Sequence, residues 1–248
     1  MRKLITFIAS ALLSASSHAT PALPAPVILT PQNTLSLFGP VNEDMVETVA
    51  RTLPRLGPIV YVNILSGGGS IHAGKRIIDQ LVAVQSQGKQ VVCIPHMAIS
   101  MAFVILQSPA CPVRLAVPSS ILMQHQASVA VDGPLNNLRN LLDAIHVEIG
   151  EIEKMQADRL KMNVGQFRQL TGFDWWLNSG TVAVRHNAAD SVGNVLCSPS
   201  LIKRKVIKEI QFWGTTIKIE SSECPYILRQ KLVLPERKST KPTVNIYF

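Results

Sequence analysis

The sequence predicts an α/β fold of repeated strand-turn-helix units, on three observations. A β-rich run, Pro58-Ile59-Val60-Tyr61-Val62-Asn63, ends in the turn Ser66-Gly67-Gly68-Gly69, and a helical pattern follows over residues 70–87. The same order returns over residues 90–107, as a β-run, a short turn and an apolar helix that Pro109 stops. Finally, 47% of the 248 residues are hydrophobic and 16% charged, which suits one ordered α/β domain plus an appendage and excludes an intrinsically disordered chain.

The first residues stand apart from that domain. Arg2 and Lys3 precede an apolar run over residues 4–14, and Ser17-His18-Ala19 has the small-x-small pattern of a processing site. Residues 1–19 therefore read as a secretory signal peptide, with a mature chain starting at or near Thr20. The run falls short of the roughly 20 residues that a membrane-spanning helix needs, and no later stretch reaches that length. The expected location is outside the cytoplasm, in a bacterium the periplasm. Residues 20–40, proline-rich between Pro21 and Pro31, read as an extended leader outside the core.

The domain proper is expected over residues 41–197. Val46, Val49 and Leu53 recur at helical spacing behind acidic residues, giving a helix over 42–56. Ile71, Ile77, Ile78, Leu81 and Val84 do the same over 70–87. Residues 90–94 are a strand, 96–99 a turn and 100–107 a helix; 113–117 and 121–124 are two further short strands. Residues 135–162 form a long helix with a stripe of Leu138, Leu141, Leu142, Ile145, Ile149 and Ile152, which either the domain's own core or a neighbouring subunit would cover.

Beyond Cys197 the character changes. Residues 205–212 and 215–219 read as strands around Trp213-Gly214, within a basic extension spanning 198–248. It holds ten Lys or Arg against four Glu, a surplus of six out of the chain's net charge of +8. Charge so localised suits an anionic partner or membrane surface; nucleic acid is not expected outside the cytoplasm.

Export permits disulfides. Cys93, Cys111, Cys197 and Cys224 allow three pairings. Cys197 with Cys224 is preferred because both lie toward the C-terminal end; Cys93, in an apolar run, reads as a buried thiol. None has CxxC spacing, so a zinc site is not expected, and no metal or other cofactor is foreseen.

Ser100 stands at the start of an apolar helix directly after a strand, where a turn exposes a side chain and the helix N-terminus favours negative charge. A helix-capping serine would occupy the same place. Catalysis would further require a base, a group that orients the base, and N–H donors for an oxyanion.

Three blocks supply candidates. Ser66-Gly67-Gly68-Gly69-Ser70-Ile71-His72-Ala73-Gly74, Ala98-Ile99-Ser100-Met101-Ala102 and Met123-Gln124-His125-Gln126 together resemble the signatures of the Clp proteolytic-subunit family. The resemblance implies Ser100 as nucleophile, His125 as base, and the N–H groups of Gly69 and Met101 as oxyanion donors. Phe173-Asp174-Trp175-Trp176-Leu177-Asn178-Ser179 is similar to the family's acidic segment, which makes Asp174 the orienting acid. The spacings, 25 residues from Ser100 to His125 and 49 from His125 to Asp174, agree with the family pattern. The likeness covers about residues 58–195. It implies the spiral α/β fold that the family shares with crotonase-type enzymes, with a small β-rich C-terminal extension added. It also implies a serine endopeptidase and a homo-oligomer built partly through the helix at 135–162. Relatives in the cytoplasm are fed by ATP-driven unfoldases, but export makes short or unfolded peptides, cleaved without ATP, the expected substrates here.

The chain departs from the family beside the site. Pro95-His96-Met97-Ala98-Ile99 lacks the glycine often found there, and Ala127-Ser128-Val129 stands where the family tends to have a Pro-Leu-Gly turn. His72, His96 and His146 read as surface or satisfied residues, His96 being nearest the serine, and Trp175 and Trp176 as packing around the acid. A crotonase-type chemistry on acyl-CoA thioesters is disfavoured by export, away from coenzyme A. A Ser-Lys peptidase is disfavoured because Ser100-Met101-Ala102 is not Ser-Gly-Gly. A non-catalytic scaffold that kept the fold is the reading from a different class.

Overall fold

The structure is a computed structural model and describes residues 25–212, 215–225 and 230–233; the signal-peptide reading of residues 1–19 lies outside them. Its centre is a seven-stranded sheet. Strands β2 (Thr34–Phe38), β3 (Ile59–Ser66), β4 (Gln90–Ile99), β5 (Val113–Ala116) and β8 (Ser191–Val192) pair in that order, all parallel. Strand β6 (Ile121–Gln124) joins the far half of β4, also parallel, and β7 (Trp175–Leu177) closes on β6 antiparallel.

Alternation along the strands divides the sheet into two covered faces. Val60, Val62, Ile64, Val91 and Cys93 point to the larger core, beneath helices α1 (Glu43–Thr52), α2 (Ile71–Ser86) and α3 (Met101–Gln107). Tyr61, Val92 and Ile94 point to a smaller one with Leu29, Val117, Val195 and Leu201. The expected helices over 42–56 and 70–87 are there: Asn42 caps the first by accepting from Met45 N–H, and Ser70 caps the second by accepting from Ala73 N–H. Helices α4 (Leu135–Arg159), α5 (Val164–Thr171) and α6 (Gly180–Arg185) follow.

Three expectations are corrected. No turn occurs at residues 96–99, because β4 runs unbroken through Pro95 to Ile99. Pro95 offers no N–H, and there the strand changes partner: β5 pairs with Val92 and Cys93, β6 with Met97, Ala98 and Ile99. On the other side His96 is the extra residue of a bulge, since Ile64 faces Pro95 while Leu65 faces Met97. The leader, where described, is not outside the fold. Strand β1 (Val27–Leu29) pairs parallel with β9 (Val195–Cys197), Leu29 is fully buried, and β2 is an edge strand of the main sheet. Nor is Cys93 a thiol: it is bonded to Cys111.

The preferred pair Cys197–Cys224 is also formed, and it fastens the extension. Helix α7 (Pro199–Lys203) leads into an antiparallel sheet of β10 (Lys205–Phe212), β11 (Thr215–Ser222) and β12 (Gln230–Val233). Arg204 pairs with Glu223 at 3.0 Å, and Ser222 Oγ donates to the Ile202 carbonyl at 2.8 Å. Among the described residues no helix is long and apolar enough to cross a membrane.

Candidate active site

Ser100 is the residue between β4 and α3. Its φ of 56° lies in the left-handed region, unusual for a residue with a side chain, and makes the chain reverse within one residue. The turn is held from both sides. Ser100 N–H donates to the Met123 carbonyl of β6 at 2.9 Å, and the Ser100 carbonyl accepts from Val104 N–H at 3.1 Å. All seven residues of α3 are buried, so the helix cannot shift to relax the turn.

The glycine turn packs directly on this elbow. Gly68, at φ 89°, lies so close that a Cβ there would stand 2.6 Å from Ser100 Cβ and 2.7 Å from the Ile99 carbonyl oxygen. Gly69 forms a parallel bridge with Val41, in which Val41 N–H donates to Gly68 and its carbonyl accepts from Ser70 N–H, each at 2.8 Å. In such a bridge the middle residue turns its own N–H and C=O to the opposite side. Gly69 N–H is thus directed away from Val41. Met101 is the first residue of α3, and a first helical N–H has no partner within its helix. Among the described residues, neither N–H group foreseen as an oxyanion donor has a hydrogen-bond partner.

Ser100 and His125 line one cleft of about 110 Å3, with Gly69 and Met101 beside them. His125 follows the last residue of β6. The antiparallel register of β6 and β7 pairs Leu122 with Leu177, Met123 with Trp176 and Gln124 with Trp175, so His125 and Asp174 each stand one residue beyond the same end of this ladder. Asp174 is exposed and does not line the cleft. Among the described residues no hydrogen bond joins the His125 side chain to Ser100 or Asp174.

The remaining histidines fall elsewhere. His72 and His146 are exposed on helices. Burial lowers His96 from 6.5 to about 4, so its imidazole is neutral near pH 7. Trp175 packs edge-on against Phe103 at 6.2 Å and His186 at 5.7 Å, whereas Trp176 is exposed.

Residues that no motif singled out complete the cleft. Ile149, Ile152, Glu153 and Gln156 of α4 enter it together, and Phe167 and Thr171 come from α5. The α4 set is spaced i, i+3, i+4, i+7, the signature of one helix face, but only its apolar members stand out in a hydrophobic stripe.

A parallel α/β sheet that presents a serine on a strained strand-to-helix turn, against a glycine turn and a histidine, defines a hydrolase-like architecture. The chain belongs to the Clp protease family, whose model matches residues 27–194. It is similar to the ATP-dependent Clp protease proteolytic subunit of Streptococcus suis, 26% identical over 154 residues, which are 58% of this chain and 76% of the relative. The protein of the same description from Streptococcus gordonii is 26% identical over 152 residues, with the same shares covered. Family and relatives alike are proteases.

Proposed function

We propose that this protein is a serine endopeptidase in which Ser100 is the nucleophile, His125 the general base and Asp174 the group that orients His125. One observation carries the reading: Ser100 is held at a left-handed turn in the cleft it shares with His125, beside two backbone N–H groups without a partner among the described residues. In the reaction His125 takes the Ser100 hydroxyl proton as Oγ bonds to the scissile carbonyl carbon. The developing oxyanion accepts from Gly69 and Met101 N–H. Return of the proton to the leaving nitrogen breaks the amide and leaves an acyl-enzyme, which a water activated by His125 hydrolyses.

The substrates are short or unfolded peptides, and no ATP is used. The signal peptide read at residues 1–19 supports this, since it directs the mature chain to the periplasm or beyond, away from ATP and ATP-driven unfoldases. Folded domains would have to open unaided, at a cost of roughly 5 to 15 kcal/mol. The working form is a homo-oligomer, and the basic extension contacts an anionic partner or membrane surface.

A fluorophosphonate probe tests the centre of the proposal. It should label the mature protein at Ser100 alone, and Ser100→Ala, His125→Ala and Asp174→Ala should each lower peptide hydrolysis by orders of magnitude while combining far less than additively. Wild-type hydrolysis in Ser100→Ala would dispose of the Ser100 assignment, and no labelling would favour the non-catalytic scaffold.

A further inference from the structure

The cleft beside Ser100 has apolar walls but polar groups within it. Gln124 and Gln156 are 4% and 1% exposed, and Gln124 Nε2 donates to Gln156 Oε1 at 2.5 Å. Gln124 Oε1 accepts from His125 N–H at 3.2 Å, and Gln156 Nε2 donates to the Ile152 carbonyl at 3.2 Å. A primary amide carries two N–H donors and an oxygen able to accept twice. Each glutamine therefore keeps hydrogen-bonding capacity after these contacts. Glu153 adds a charge: its side chain is 17% exposed, and its Oε2 accepts from Arg168 Nε at 2.7 Å. That bond leaves Oε1 as an acceptor without a partner among the described residues.

An apolar side chain filling this space would strip water from Oε1 and from the amides and give nothing back, which is costly for buried polar groups. A side chain ending in a donor would replace the water it displaces. Met101, Val104, Ile152 and Phe167 line the same cleft, whose volume of about 110 Å3 suits one unbranched stem with a polar tip.

We propose that this cleft receives the side chain of the residue whose carbonyl Ser100 attacks, and that it selects an unbranched stem with a hydrogen-bond donor at the tip. Lysine and glutamine fit; their apolar isosteres norleucine and methionine fit less well, and glutamate is rejected by Glu153. The proposal rests on the peptidase reading above. Glu153, Gln124 and Gln156 are then residues that set specificity, and the bond from His125 N–H to Gln124 ties this polar floor to the strand end that carries the base.

The test uses the full mature protein and peptides of one sequence, varied only at the residue before the scissile bond: lysine, norleucine, glutamine, methionine or glutamate. Ser100→Ala serves as the blank. The kcat/KM for lysine over norleucine, and for glutamine over methionine, should each be about tenfold, with glutamate slowest. In Glu153→Gln, an isosteric change that keeps the volume, lysine should fall by about tenfold toward norleucine while glutamine keeps its advantage over methionine. Replacing both amides, Gln124→Leu with Gln156→Leu, should abolish the glutamine advantage, with a thermal melt reporting on the fold. Ser100-dependent hydrolysis that favours norleucine and methionine equally or more, or a lysine ratio unchanged in Glu153→Gln, overturns the subsite assignment alone. No Ser100-dependent hydrolysis of any peptide, with no probe labelling, brings down the peptidase reading and the subsite with it.

Discussion

At the scale of single residues, the site depends on neighbours that take no part in chemistry. Gly68 is needed because any side chain there would displace Ser100, and Val41 because it holds Gly69 from behind. His96 is of a different kind, an ionisable group built into the central strand at its bulge. Its burial lowers the imidazole to about 4, against 6.5 in an exposed chain. Between those values the unfolded chain binds a proton that the native protein does not, so native stability is complete above about pH 6.5 and falls as the pH drops toward 4. The separation corresponds to about 3 kcal/mol. Urea unfolding at pH 7.5 and pH 4.0 should show that loss in the wild type and a clearly smaller one in His96→Gln. Equal losses in both would mean that the imidazole is not held neutral.

At the scale of elements, β4 and α3 act as one unit with Ser100 at the joint. The Cys93–Cys111 disulfide links the middle of the strand to the residues just past the helix, closing an 18-residue separation that has the nucleophile near its centre. Cross-linking a loop of this length restricts the unfolded chain by about 3 kcal/mol. Cys93→Ala with Cys111→Ala should lose stability on that order, read as a lower urea midpoint, and an unchanged midpoint would show that the link adds nothing. How far these elements were legible follows from how local their signals are. Ser100, His125 and the glycine turn lie within short blocks, and helix-period stripes mark α1, α2 and α4. The capping box of Asn163 and Gln166 at the start of α5 was a readable signal, but no long stripe accompanies so short a helix. The length of β4 was hidden because a proline within a strand reads as a stop, and only the sheet reveals that partners change there. Strands β1 and β2 were read as leader for a similar reason. The β1 partner lies 168 positions away in the sequence, Val27 facing Val195, and no local pattern announces it. Glu153 and Gln156 escaped because the periodicity that marks a helix face counts apolar residues, and their importance comes from being polar.

At the scale of the whole molecule, the stripe on α4 is divided into a packed part and an exposed part. Its C-terminal half belongs to this chain: Ala157 is fully buried, Ile152 and Met155 pack against the main core, and Ile149 and Ile152 line the cleft. Its N-terminal half is bare, with Leu135, Leu141, Leu142 and Val147 exposed at 65%, 46%, 45% and 65%. The Lys75–Glu148 pair, at 2.7 Å, ties this region back to α2, and exposed ion pairs contribute little. The bare part of α4, from Leu135 to Val147, runs for about 20 Å, and its exposed leucines are offered to water. Burying a leucine fully is worth about 1.5 to 3 kcal/mol, so the proposed homo-oligomer would gain by covering Leu135, Leu141 and Leu142 with another copy. Because the same helix lines the cleft from Ile149 onward, docking at its outer half would also fix the wall that carries Glu153 and Gln156. Light scattering on the mature wild type should therefore give a mass several times that of one chain. Leu141→Glu with Leu142→Glu, which leaves the buried half untouched, should shift the mass toward one chain and lower peptide hydrolysis with it, at an unchanged circular dichroism spectrum. A wild type that remains a single chain at micromolar concentration and hydrolyses peptides at full rate would show that neither the assembly nor the covered face is needed.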